Sequence, residues 1–181
     1  HIQIILISEE VSRERLSSAG AFVHAAGILR VGTLDRLDVA DGERMWKLHV
    51  DAAVRIARVL VPKMCERADG RIVLLGSRVA QGMPGRSQYA ASKAALVAMA
   101  RSWAAEVAAR GVTVNVVSPA ATQTSMLDDP ARASSAPRLP PLGRLIQPHE
   151  IAALVEFLLS PLAAAITGQD IAICGGASLP H

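Results

Sequence analysis

RIVLLGSRVAQGMPGRSQYAASKAALVAMARSWAAEVAARGVTVNVVSP, residues 71–119, sets two short runs of branched aliphatic residues on either side of a long alanine-rich segment. RIVLLGS (71–77), bounded by Gly70 and Gly76, reads as a buried strand. Residues 88–109 have the length and composition of a helix, and GVTVNVVSP (111–119) is a second strand stopped by proline. Strands joined through a helix form a βαβ unit, and a parallel sheet needs cover on both faces.

The flanking chain repeats this alternation. IQIILIS (2–8) and AFVHAAG (21–27) read as two more buried strands, with the polar, helix-compatible EEVSRERLSSA between them. LDRLDVADGERMWKL (34–48) leads into a long helix over about 43–65 that is apolar nearly all round its axis. QPHEIAALVEFLL (147–159) is a helix with Pro148 near its first turn, and QDIAICGG (169–176) closes as a strand. The proline-rich segment 128–144 reads as a flexible loop on the substrate side. There is no internal repeat and no domain-scale linker, so residues 1–181 are expected to form a single α/β domain. Ligands of such sheets sit beyond the carboxyl ends of the strands, which should bring Gly27, Ser77 and Pro119 side by side.

Composition narrows the function classes. The chain is 51% hydrophobic but only 3% aromatic, so its core must be aliphatic and closely packed. Cys65 and Cys174 lie far apart with no C-x-x-C, which argues against a zinc site or a disulfide framework and fits a reducing cytoplasm. No metal site is expected. The net charge of +3 is carried mostly by scattered arginines, with no basic run interleaved with aromatics. That argues against nucleic-acid binding. The apolar stretch IAALVEFLLSPLAAAIT (151–167) is too short and too broken, by Glu156 and Pro161, to span a bilayer. No positively charged leader is read at the start. The chain opens on His1, not on methionine, which leads us to expect processing or further residues upstream.

Tyr89 is the chain's sole tyrosine, and Lys93 follows it by four residues. On a helix these share a face. A free phenol has a pKa of about 10 and is a poor base at neutral pH, and a nearby ammonium lowers that value by favouring the phenolate. The pair can then act as a general acid or base on an alcohol or carbonyl. Ser77, at the strand end, is placed to hydrogen-bond the same substrate oxygen. Taken alone, Y-x-x-x-K also describes many solvated helix surfaces. Ser87 and Ser92 read as a helix cap and a helix-surface hydroxyl.

The segment 71–126 closely resembles the short-chain dehydrogenase/reductase family, which uses a serine, a tyrosine and a lysine in this order. VHAAGI (23–28) is similar to the family's N-N-A-G-I, with His24 and Ala25 at the asparagine positions. LGRLIQPHEIAALVEFLLS (142–160) and ITGQDIAICGGAS (166–178) resemble its C-terminal helix and last strand, with Cys174 at an aspartate position. The resemblance covers about residues 21–178. It implies a Rossmann-like doubly wound parallel sheet and an NAD- or NADP-dependent exchange between an alcohol and a ketone or aldehyde. Tyr89 would be the acid/base, Lys93 would lower its pKa and hold the nicotinamide ribose, and Ser77 would orient the substrate. Ala26, Gly27, Tyr89, Lys93, Pro119, Ala120, Thr122 and Thr124 would contact the cofactor, although Ala120 and Thr122 replace the family's glycine and aliphatic residue. The family's substrates include sugars, polyols, steroids and 3-oxoacyl thioesters. Arg132, Arg138 and Arg144 in the proline-rich loop are candidates to meet an anionic one.

The resemblance also exposes a gap. The family opens with a T-G-x-x-x-G-x-G turn that cradles the cofactor pyrophosphate at a helix N-terminus, and this sequence holds no such motif. Residues 2–8 most resemble the family's third strand, so the domain is expected to be N-terminally incomplete. The residue choosing NAD over NADP would lie in the absent part. Two readings follow. In one, the chain belongs to an oxidoreductase whose first βαβ portion precedes it. In the other, it is a non-catalytic binding or assembly subunit unable to hold a dinucleotide. The match at serine, tyrosine and lysine together favours the first.

The two long helices, 43–65 and 88–109, are apolar on more sides than one sheet can cover. With the family resemblance, this implies a homodimer or homotetramer built on them. Finally, HVDAAVRIARVLVPKM (49–64) aligns with the family's N-V-x-A-A helix when Pro62 meets its late-helix proline. His49 then takes the place of a fourth catalytic residue, an asparagine whose carbonyl holds a water linking the lysine to solvent. An imidazole there is expected to titrate near 6.5 and to oppose Lys93 when protonated.

Overall fold

A computed structural model describes residues 18–130 and 137–179. Four parallel strands form one sheet in the order β1 (Ala21–His24), β2 (Gly70–Leu75), β3 (Val112–Pro119) and β4 (Asp170–Ile173). The βαβ reading of 71–119 holds residue by residue: Ile72 pairs with Val114 and Leu74 with Val116. The expected strand over 2–8 lies outside the described residues.

Side-chain alternation along the strands builds two cores. Ile72, Leu74, Val112, Val114 and Val116 pack on one face beneath helix α2 (Ala52–Glu66) and helix α3 (Ser87–Val107), through Leu60, Met64, Leu96 and Ala100. Val73 and Val117 point the other way, onto Leu158 of helix α4 (Pro148–Leu159) and Ala163. The sheet is therefore covered on both faces, as its near-continuous valine and isoleucine runs require. Small alanines at 53, 57, 100 and 104 let the helices lie close to the strands.

Two helix readings need correction. The helix expected over 43–65 begins earlier, at Val39 (α1, Val39–Trp46), where the Asp38 carboxylate accepts the Asp41 amide. It then opens into a π turn at Lys47–Asp51, with the Ala52 amide reaching back to the Lys47 carbonyl, before α2 resumes. Helix α3 starts at Ser87, but its N-cap position is Arg86, so Ser87 is not the cap. Helix α4 is held by a capping box between Gln147 and Glu150, with Pro148 in its first turn.

Gly111 makes the turn from α3 into β3 with φ +74°, and a Cβ there would run into the Ala68 carbonyl. Both the left-handed backbone and the contact exclude a side chain. Gly111→Ala is expected to lower unfolding stability by about 2 kcal/mol, measured by urea titration; unchanged stability would show that the turn is not held this way.

Candidate active site

The carboxyl ends of β1, β2 and β3 open into one cleft of about 820 Å³. Gly27, Ser77, Tyr89, Lys93, Pro119, Ala120, Thr122 and Thr124 all line it. Of the residues read from the sequence, two do not reach it. Ala26 has its side chain exposed beside the cleft, and His49 is completely buried behind Gly27.

Each central side chain is fixed by a definite bond. The Ser77 hydroxyl accepts the Val79 amide at 3.1 Å, capping the 3-10 turn Arg78–Gln81. An oxygen used as acceptor keeps its proton for a substrate oxygen. Lys93 is 4% exposed, donates to the Leu75 carbonyl at 2.7 Å, and sits 5.9 Å from the centre of the Tyr89 ring. Burial lowers the Lys93 pKa to about 8. Below that pH its ammonium faces the phenol across a poorly hydrated space, where charge acts strongly.

Behind this pair runs a chain of hydrogen bonds with a fixed direction. The Ile28 amide donates to His49 Nε2 at 3.1 Å, so that nitrogen carries no proton. His49 Nδ1 therefore holds the proton and donates to Ser92 Oγ at 2.8 Å. Ser92 in turn donates to the Tyr89 carbonyl at 2.8 Å. His24 Nε2 donates to the His49 carbonyl at 2.9 Å. The His49 ring also meets the Tyr89 ring edge-on, with centres 5.6 Å apart. The imidazole thus ties the loop after β1 to the first turns of α3.

This geometry corrects two sequence readings. Ser92 is not a helix-surface hydroxyl but a fully buried link between His49 and the Tyr89 carbonyl. His49 does not titrate near 6.5: its pKa is lowered to about 3, first by burial, then by Lys93 and His24. Protonating Nε2 would also set one N–H against another at Ile28. Burial and Lys93 likewise lower the His24 pKa. His24, an unassigned residue in the sequence reading, turns out to be the partner of the His49 carbonyl.

The arginines sort differently from expectation as well. Arg144 forks onto both Glu150 oxygens at 2.8 Å and does not face the cleft. Arg138 lines the cleft, and Arg132 lies outside the described residues. Arg78, which the sequence reading passed over, lines the wall beside Ser77.

Because its folded pKa is depressed, His49 contributes stability that is present above about pH 6.5 and lost as pH falls toward 3, where the unfolded chain takes up the proton. The stability advantage of the wild type over His49→Asn should therefore shrink steadily between pH 7 and pH 4 in denaturant titrations. The variant should show no change of slope near pH 6.5 in any pH–rate profile. An advantage that stays constant over that range would mean His49 is already charged in the fold.

A family model described as Enoyl-(Acyl carrier protein) reductase matches residues 9–178. The 3-oxoacyl-[acyl-carrier-protein] reductase FabG of Vibrio cholerae is 38% identical over 158 residues, which are 85% of this chain and 64% of that protein. The FabG of Escherichia coli K12 is 36% identical over 171 residues, 92% of this chain and 70% of its own length. A solved structure titled short chain dehydrogenase/reductase family protein superposes with a TM-score of 0.82 at 34% identity, covering 90% of this chain and 68% of the other. The chain spans under two thirds of the Vibrio cholerae relative. On its sheet, its cleft and these matches, the chain belongs to the short-chain dehydrogenase/reductase family.

Proposed function

We propose that the chain carries the catalytic portion of an NAD- or NADP-dependent oxidoreductase that interconverts an alcohol and a ketone or aldehyde. The observation that carries this reading is the convergence of Ser77, Tyr89 and a buried Lys93 on one cleft at the strand ends. In the reducing direction Tyr89 gives its phenolic proton to the carbonyl oxygen while the Ser77 hydroxyl donates a hydrogen bond to that oxygen. The Lys93 ammonium stabilises the phenolate that remains. In the reverse direction Tyr89 takes the alcohol proton.

The residues fit a nicotinamide cofactor. A Cβ at Gly27 would stand 3.2 Å from His49 Nε2, a tight contact, so the bare peptide here lets the chain lie close against the imidazole. Gly27, Lys93 and the segment Pro119–Thr124 would hold the nicotinamide end. When bound, the cofactor supplies or accepts the hydride. His49 acts on this site as a positioning residue, through Ser92 and the Tyr89 backbone. The names of the relatives make 3-oxoacyl groups the first substrate class to test, with sugars and polyols next.

The assembly proposed is a homodimer or homotetramer. Ala91, Ala98 and Ala105 form an exposed, small-residue line along α3, and Trp46 at the end of α1 and Val54 and Val59 on α2 are exposed as well. The free thiols of Cys65 and Cys174 favour a cytoplasmic setting. Among the described residues no helix is long and apolar enough to cross a membrane.

The test uses the full-length protein with a panel of carbonyls and alcohols and both cofactors. Tyr89→Phe keeps the ring and removes only the acid, so turnover is expected to fall by at least about 10² with the fold intact. Retention of near-wild-type kcat would refute the assignment.

A further inference from the structure

The cleft has an uneven charge. Its described lining includes Arg78, Arg86, Lys93 and Arg138, and no aspartate or glutamate. Three of these cations differ from the fourth in what they already touch or where they stand. Lys93 is bonded to the Leu75 carbonyl, Arg86 is already engaged in an interaction, and Arg138 is exposed. Arg78 is half-buried, and its side chain makes no hydrogen bond or ion pair among the described residues. A guanidinium presents five donors in a rigid fork and is costly to withdraw from water unless an anion meets it. The described lining of the cleft offers none, and much of it is apolar, Val79, Met83, Met126, Leu127 and Leu139 among it.

Position fixes how far that anion can be from the chemistry. Arg78 directly follows Ser77, and consecutive Cα atoms are about 3.8 Å apart. Ser77 is the group proposed to hold the reacting oxygen. An anion received by Arg78 therefore lies within one arginine side chain's reach of the backbone beside Ser77, a span that is short against a long carrier arm. We propose that Arg78 selects an anionic substrate, a 2-oxo or 3-oxo acid or the matching hydroxy acid, by receiving its carboxylate beside the reacting carbon. This rests on the oxidoreductase reading above and specifies its substrate. A carboxylate also suits the fork, which can bind both oxygens at once. The exposed Arg138 adds to the positive potential that draws such a substrate into the cleft.

The experiment measures kcat/KM of the full-length protein on 2-oxo and 3-oxo acids of four to eight carbons, each beside its methyl ester, with NADH and NADPH. In parallel, the shift in melting temperature caused by each acid and ester is recorded without turnover. At least one acid is expected to exceed its ester by ~100-fold in kcat/KM and to raise the melting temperature where the ester does not. Arg78→Gln should collapse that ratio at least tenfold and abolish the difference in melting shift. Arg78→Lys, which keeps the charge but not the fork, should retain part of both. Esters or acyl thioesters used as well as the acids, or an acid preference that survives Arg78→Gln, would overturn the proposal while leaving the oxidoreductase reading standing. Absence of any Tyr89-dependent turnover would instead remove the oxidoreductase reading, and the melting shifts would then decide on Arg78 alone.

Discussion

A neutral imidazole at the centre of the molecule holds the arrangement together. His49 accepts a backbone amide on one side and donates to a serine on the other, and it can do both only while uncharged. Its two bonds join the loop after β1 to the first turns of α3, the elements that carry Gly27, Tyr89 and Lys93. The π turn at Lys47–Asp51 presents this side chain and its carbonyl together. Removing the ring would leave the Ile28 amide without its acceptor and the Ser92 oxygen without its donor in a dry space, where an unmade hydrogen bond is expensive.

Burial also sets the electrical character of the site. Desolvation lowers the Lys93 pKa to about 8 and pushes both nearby histidines toward their neutral forms. One positive charge is thus kept close to Tyr89 at neutral pH, while the two imidazoles that adjoin it stay silent. The lysine does not drift into solvent because the Leu75 carbonyl holds it at 2.7 Å.

Much of this was legible in the chain itself. Strand runs bounded by glycine and proline gave the βαβ order, and the i, i+4 spacing of Tyr89 and Lys93 placed both on the cleft side of α3. What escaped sequence reading depends on contacts between distant segments. Nothing local marks Ser92 as buried, because a serine suits a helix surface equally well. His24 and His49 are twenty-five residues apart, and only the packing of the π turn against the end of β1 brings one ring to the other's carbonyl. The start of the first long helix at Val39, capped by Asp38, was also missed, since the glycine at position 42 weakens the helical pattern just after the cap. Arg144 looked free in a proline-rich loop, yet the capping glutamate of α4 claims it.

The aliphatic character of the core has an optical consequence. With a single tyrosine in the chain, the near-ultraviolet difference between phenol and phenolate arises from Tyr89 alone. Trp46 and Trp103 absorb in the same region but do not ionise, so they contribute only a constant background. The chain therefore carries a built-in indicator dye in its cleft. Titrating its absorbance reads the ionisation of Tyr89, the proposed acid/base group, directly, without a label and without substrate.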